Sequence, residues 1–187
     1  MITQHDLGKK WSKGPLPEAF SEGELRSCSG AKIKIPKEPP VIADKFGEPK
    51  FQTTGANYAR LVAVYDTSTD ALSAMTTIRK KVAGCPEEKE FPSKKLPNGK
   101  VTVSHLDKWS SSEETLDGWN HIRAVETVTY PTWVSIVNVR HLIIDFAQRG
   151  NVVFSSMYVQ RLRPNKSSKE LEEKAVELLE GQLGRFG

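Results

Sequence analysis

WVSIVNVRHLIIDFAQRGNVVFSSMYVQRL, residues 133–162, decides the architecture. Apolar and β-branched residues fill both halves of this stretch, and Gly150–Asn151 divides them. Glycine at the first central position of a type II′ turn takes a positive φ without penalty, so the pair reads as a hairpin turn. The pattern predicts strands over residues 133–148, with room for a bulge, and over residues 152–162. A turn at Gly150–Asn151 sets His141 opposite Gln160, Ile143 opposite Tyr158 and Asp145 opposite Ser156. Strand alternation then gathers Ser135, His141, Asp145, Ser156, Tyr158 and Gln160 on one side, with Trp133 at its end. Asn138, Arg140, Leu142, Ile144 and Phe146 take the other side.

Upstream, residues 59–65 (ARLVAVY) are rich in strand formers and read as a strand. Residues 66–70 supply a turn and N-cap candidates. Ala71, Leu72, Met75, Ile78 and Val82 recur at helical spacing, Arg79, Lys80 and Lys81 suit the negative end of a helix dipole, and Gly84 is placed to stop the helix. Residues 87–100 form a charged excursion closed by Pro97, Asn98 and Gly99, and residues 100–104 read as a short strand. Residues 107–120 read as a polar loop with room for a helical turn after Ser112, followed by a strand over residues 122–130. Downstream, Ser167 and Glu170 have capping-box spacing, and Leu171, Ala175, Leu178, Leu179 and Leu183 mark one face of a C-terminal helix.

Residues 1–57 behave differently. Apart from a short helix expected around residues 3–10 and a KIKI edge strand at residues 32–35, Pro and Gly recur too densely for long helices or central strands. The chain divides into an irregular Pro/Gly-rich arm, residues 1–57, and an α+β core, residues 58–187, within one domain. The expected fold class is α+β: an antiparallel β-sheet with helices packed mainly on one face.

Hydrophobic residues make up 37% of the chain, enough for a core at this length, and the most apolar run, residues 133–146, is broken by Asn138, Arg140, His141 and Asp145. The N-terminus has neither the basic nor the apolar region of a secretory signal, so the chain is either cytosolic or trimmed from an exported precursor. The basic excess lies in residues 1–100 (17 Lys or Arg against 12 Asp or Glu) and is scattered through loop-like sequence, which argues against nucleic acid as a partner. Cys28 and Cys85 admit two readings: core thiols in a cytosolic protein, or one disulfide in an exported one. Neither belongs to a CxxC or Cys/His cluster, so no metal is expected.

The polar side of the hairpin is the candidate ligand-binding surface: Trp133, Ser135, His141, Asp145, Ser156, Tyr158 and Gln160. The same alternation also describes an ordinary solvated sheet face. No catalytic residue is assigned. His141 and Asp145 lie four apart on one strand, roughly 13 Å, which is too far for a Ser-His-Asp relay with Ser156. His5, His105 and His121 fall in loop-like or element-end contexts and read as exposed, and Glu113, Glu114 and Asp117 as solvated acids. No glycine-rich phosphate loop is present, and no cofactor is expected.

Four segments in order, DLGKKW (residues 6–11), STDALSAMTTIRKKVAGCP (68–86), RGNVVFSSMYVQR (149–161) and LLEGQLGRFG (178–187), resemble actinobacterial cell-surface lipoproteins. More distantly they are similar to the PknH-like extracellular sensor domains of mycobacterial receptor Ser/Thr kinases. The resemblance implies an exported, lipid-anchored protein on the outer face of the cell membrane, with its signal peptide and lipid-bearing cysteine absent from this chain. It also implies an antiparallel sheet flanked by helices and a sensor-like cleft for a small molecule or envelope protein, without catalysis. Two cysteines stand where the kinase sensors tend to have two disulfides, so a shared ligand is not implied, and no functional residue carries over. An envelope protein-interaction or structural module is the alternative.

Overall fold

Gly150 adopts a φ of 56° and turns the chain between two eleven-residue strands whose register follows the expected pairing, with Asp145 opposite Ser156 and His141 opposite Gln160. The computed structural model describes residues 7, 9–28, 31–49 and 55–186. Along these the elements run β1 (Ser12–Lys13), α1 (Glu18–Ser21), β2 (Glu24–Arg26), β3 (Lys32–Lys34), β4 (Val41–Gly47), β5 (Ala56–Val64), α2 (Ser68–Ala83), β6 (Glu88–Phe91), β7 (His105–Leu116), β8 (Trp119–Thr129), β9 (Val139–Arg149), β10 (Val152–Leu162) and α3 (Lys169–Leu183), with a final 3-10 turn at Gly184–Phe186. One antiparallel sheet holds eight strands in the order β1-β4-β5-β10-β9-β8-β7-β6, and β2 and β3 form a separate ribbon. The antiparallel α+β class is as expected.

The two long helices, however, do not share a face. Ala71, Ala74, Met75, Ile78 and Val82 of α2 pack with Leu61, Ala63, Phe146 and Ile144 on one side of the sheet. Leu171, Ala175 and Leu178 of α3 pack with Tyr58, Ile143 and Tyr158 on the other. Both faces of the central strands carry apolar residues, and each strip recruits its own helix. Thr67 caps α2, its hydroxyl accepting from the Asp70 N–H at 3.2 Å, while Leu72, expected on the buried face, is exposed. The α3 cap sits at Ser168 rather than in a Ser167/Glu170 box: Ser167 Oγ accepts from Lys169 N–H at 3.1 Å, and Ser168 Oγ donates to Glu172 at 2.6 Å.

Three further expectations are corrected. Residues 107–120 are not a loop; β7 and β8 form a hairpin through Asp117 and Gly118, whose φ values of 48° and 77° fit a type I′ turn. The strand expected from Trp133 starts at Val139. Val134 N–H donates to Pro131 C=O at 3.0 Å, and Asn138 Nδ2 donates to Tyr130 C=O at 2.6 Å, so local bonds hold residues 131–138 as a loop. Of the residues expected as a short strand at 100–104, Val101 makes a single bridge, to Lys95.

The arm is more than a covering. Its β4 enters the main sheet beside β5, and Phe20, Leu25, Ile33 and Ile35 are buried in the same cluster as α2. The KIKI segment forms β3, paired with β2. A disulfide joins Cys28 to Cys85, just past α2, with a Cα–Cα distance of 5.8 Å. The short helix expected around residues 3–10 lies mostly outside the described residues. Among the described residues no helix is long and apolar enough to cross a membrane.

Candidate functional site

The register across the sheet brings polar residues into one row. Ser112, Arg123, Asp145, Ser156, Arg60 and Asp44 lie side by side on β7, β8, β9, β10, β5 and β4. Asp145 accepts from Arg123 Nε at 2.8 Å and faces His121 Nε2 at 2.9 Å, while His121 Nδ1 faces Glu114 at 3.1 Å. Arg60 donates to Asp44 at 2.8 Å and to Gln182 of α3. Asp44 shows how the balance falls: partial burial opposes its charge, but bonds from Arg60 and Lys13 overcome this and hold its carboxyl below the usual carboxylate range.

This row is no open cleft, because α3 lies over it. Asp145 is 2% exposed, and Ser156 and Tyr158 are buried with it. Tyr158 packs against Trp11 with ring centroids 6.4 Å apart, and burial, with the Glu48 carboxylate adding to it, pushes its hydroxyl up to about 12. His141 is half-buried beside Thr127 at 3.2 Å, and Gln160 is partly covered at the end of the same face. Trp133 and Ser135 leave the face altogether with the 131–138 loop, where Ser135 Oγ accepts from Val137 N–H at 3.2 Å. The structure therefore brings Asp145, Ser156 and Tyr158 together under a helix and separates Trp133 and Ser135 from them. His121, expected to be exposed, is buried as the partner of Asp145. Its place inside an alternating strand is the signal that could have shown this. His105 stacks on Phe91, with centroids 4.8 Å apart, and His5 lies outside the described residues.

The opposite face offers a better site. There Glu126, 0% exposed, faces two arginines from distant parts of the chain: Arg26 Nη2 at 3.4 Å, from the arm, and Arg140 Nη2 at 3.3 Å, from β9. Both contacts are long for charge-assisted bonds, which favour about 2.7–2.9 Å. The Nε atoms of Arg26 and Arg140 are buried and have no partner among the described residues. Burial works against the Arg26 charge and lowers its pKa, with the Glu126 carboxylate opposing that effect.

Beside these arginines is a cavity of about 210 Å³, lined by Pro17, Arg26, Lys45, Asn57, Ala59, Arg140, Leu142, Met157 and Val159. Its floor is the apolar side of β5, β9 and β10, and its wall is the arm. Asn57 is buried, and its Oδ1 sits where a side chain at position 47 would begin: a Cβ built on Gly47 would lie 2.2 Å from that oxygen. Converging cations above an apolar floor can hold an anion and desolvate the group attached to it. No sequence motif marks this site, since Arg26, Arg140 and Glu126 meet only through the topology.

A second, open groove of about 590 Å³ lies near the β6 edge, where Phe91, His105 and Tyr130 line it and Arg161 lies 5.6 Å from the Tyr130 ring centre. The His105 ring stacks on Phe91 and lies tilted against Tyr130, with centroids 5.3 Å apart. The adjoining loop exposes Trp133 (77%) and Ile136 (72%).

No family model and no curated protein matches the chain. Among solved structures, a crystal structure from Bacteroides thetaiotaomicron VPI-5482 is similar over 89% of this chain, at 14% identity and a TM-score of 0.34. The match spans 40% of that chain's length.

Proposed function

We propose that the chain is a non-catalytic binding domain of an exported, lipid-anchored protein, and that its ligand enters the cavity between the arm and the sheet. One observation carries the binding site: Arg26, Arg140 and Lys45 converge on a cavity whose floor is formed by Leu142, Met157 and Val159. The contacts of Arg26 and Arg140 with Glu126 are long, and each guanidinium carries further N–H donors for an incoming acceptor. Placement outside the cytoplasm draws support from the disulfide, a bond that persists in oxidising compartments. The lipid anchor rests on the lipoprotein resemblance.

Backbone amide NMR during addition of an organic extract of actinobacterial envelopes tests the site. Shifts are expected at Asn57, Leu142 and Met157 and are expected to vanish in Val159→Phe, which fills the cavity while keeping its charges. Spectra unmoved by every fraction would dismiss the site. Counting thiols in unreduced protein recovered from its natural compartment tests the location: two free thiols would contradict export into an oxidising space.

A second reading, an envelope protein-interaction module, is favoured by the exposed Trp133 and Ile136. Its test is pull-down of envelope proteins with Trp133→Ala/Ile136→Ser, which is expected to lose partners held by the parent.

A further inference from the structure

Resting on the pocket reading above, we infer that the ligand is a carboxylate carrying an unbranched apolar chain, its head held by Arg140 and Arg26 and its chain laid on Leu142 and Met157. The two arginines already face one carboxylate, that of Glu126, and each guanidinium retains donors beyond the nitrogen that meets it. An arginine fork matches the planar carboxylate geometry better than a single-point cation would. Charge sets the valence. Arg26, Arg140 and Lys45 stand against Glu126 and the neighbouring Asp107, which leaves one positive charge for a monoanion to neutralise. Lys45 has no ion pair among the described residues, so that excess charge is its own. Size sets the body: about 210 Å³ is smaller than the ~300–1,000 Å³ typical of drug-sized sites, which suits a slim chain better than a fused ring system.

Octanoate, octanol and acetate, titrated separately into the full chain and followed by amide NMR and calorimetry, divide the possibilities. Octanoate is expected to bind about tenfold or more tightly than either comparison, since octanol lacks the charge and acetate lacks the chain. Arg140→Met is expected to reduce octanoate to the level of octanol. Because Arg140 also faces Glu126, Val159→Phe serves as the second variant; it is expected to block octanoate with the ion pairs intact. Octanol binding as well as octanoate in the parent, with both blocked by Val159→Phe, would overturn the carboxylate assignment and leave the pocket standing. Failure of both octanoate and octanol to move Asn57, Leu142 and Met157 would overturn the chained-carboxylate assignment, whereas the envelope-extract experiment decides the pocket itself.

Discussion

Replacing Asp145 with alanine removes the acceptor at the centre of the buried polar row. Its Oδ1 takes Arg123 Nε at 2.8 Å and faces His121 Nε2 at 2.9 Å, and the side chains of Asp145 and His121 are 2% and 1% exposed. Breaking a buried ion pair by deleting one partner costs about 3–5 kcal/mol, because the surviving partner keeps its desolvation penalty. Arg123 is 16% exposed and His121 retains Glu114, so the lower end applies, about 3 kcal/mol. At ~2–4 °C per kcal/mol for a chain of this size, the melting temperature is expected to fall by about 6–12 °C. Urea denaturation followed by far-UV circular dichroism measures the loss, and the triple variant His121→Phe/Arg123→Met/Asp145→Leu supplies the contrast. Exchanging the whole buried group for apolar side chains is expected to restore most of the stability. A single variant within about 1 kcal/mol of the parent would refute the reasoning, since it would mean that water reaches the row beneath α3.

Three other outcomes follow from the same geometry. Cys28→Ser/Cys85→Ser opens a loop with a sequence separation of 57, so unfolding free energy is expected to drop by up to about 4 kcal/mol; an unchanged urea midpoint would contradict this. Burial lowers the His141 pKa, with Glu172 pulling the other way, so the unfolded chain takes the proton more readily. The contribution of His141 is therefore intact above the ordinary histidine value of ~6.5 and erodes as pH falls below it; His141→Leu is expected to flatten the decline in stability between about pH 7 and 5, and equal slopes would count against it. Gly47→Ala drives a methyl into Asn57 Oδ1, and about 1–3 kcal/mol of destabilisation is expected, with shifted amide signals around Asn57; a neutral effect with unmoved signals would show that Asn57 sits elsewhere.

What the sequence discloses is local. Gly150 names the central turn and thereby the β9–β10 register, and the 3.6-residue spacing of Leu171, Ala175, Leu178 and Leu183 names the buried face of α3. The β7 strand was hidden by its position near the sheet edge: only Asp107 and Trp109 along it are buried, so it lacks the apolar alternation of an interior strand. Its turn, Asp117–Gly118, nevertheless carries the strongest short-range hairpin signal. Periodicity also could not say which side of the sheet each helix would choose. That choice decides whether Asp145, Ser156 and Tyr158 face solvent or a helix, and so it moved the candidate site to the opposite face. Arg26 and Glu126, 100 residues apart, meet only once the arm has folded back.

The sheet's two outer margins are β1, with two residues, and β6, with four residues reading Glu-Lys-Glu-Phe. These short borders cover little of their neighbours: among the described residues, β6 pairs with β7 only over residues 105–108 and β1 with β4 only over residues 46–47. The uncovered run of β7, residues 110–116, reads Ser-Ser-Ser-Glu-Glu-Thr-Leu, and paired acids of that kind discourage a second copy from adding its own strand there.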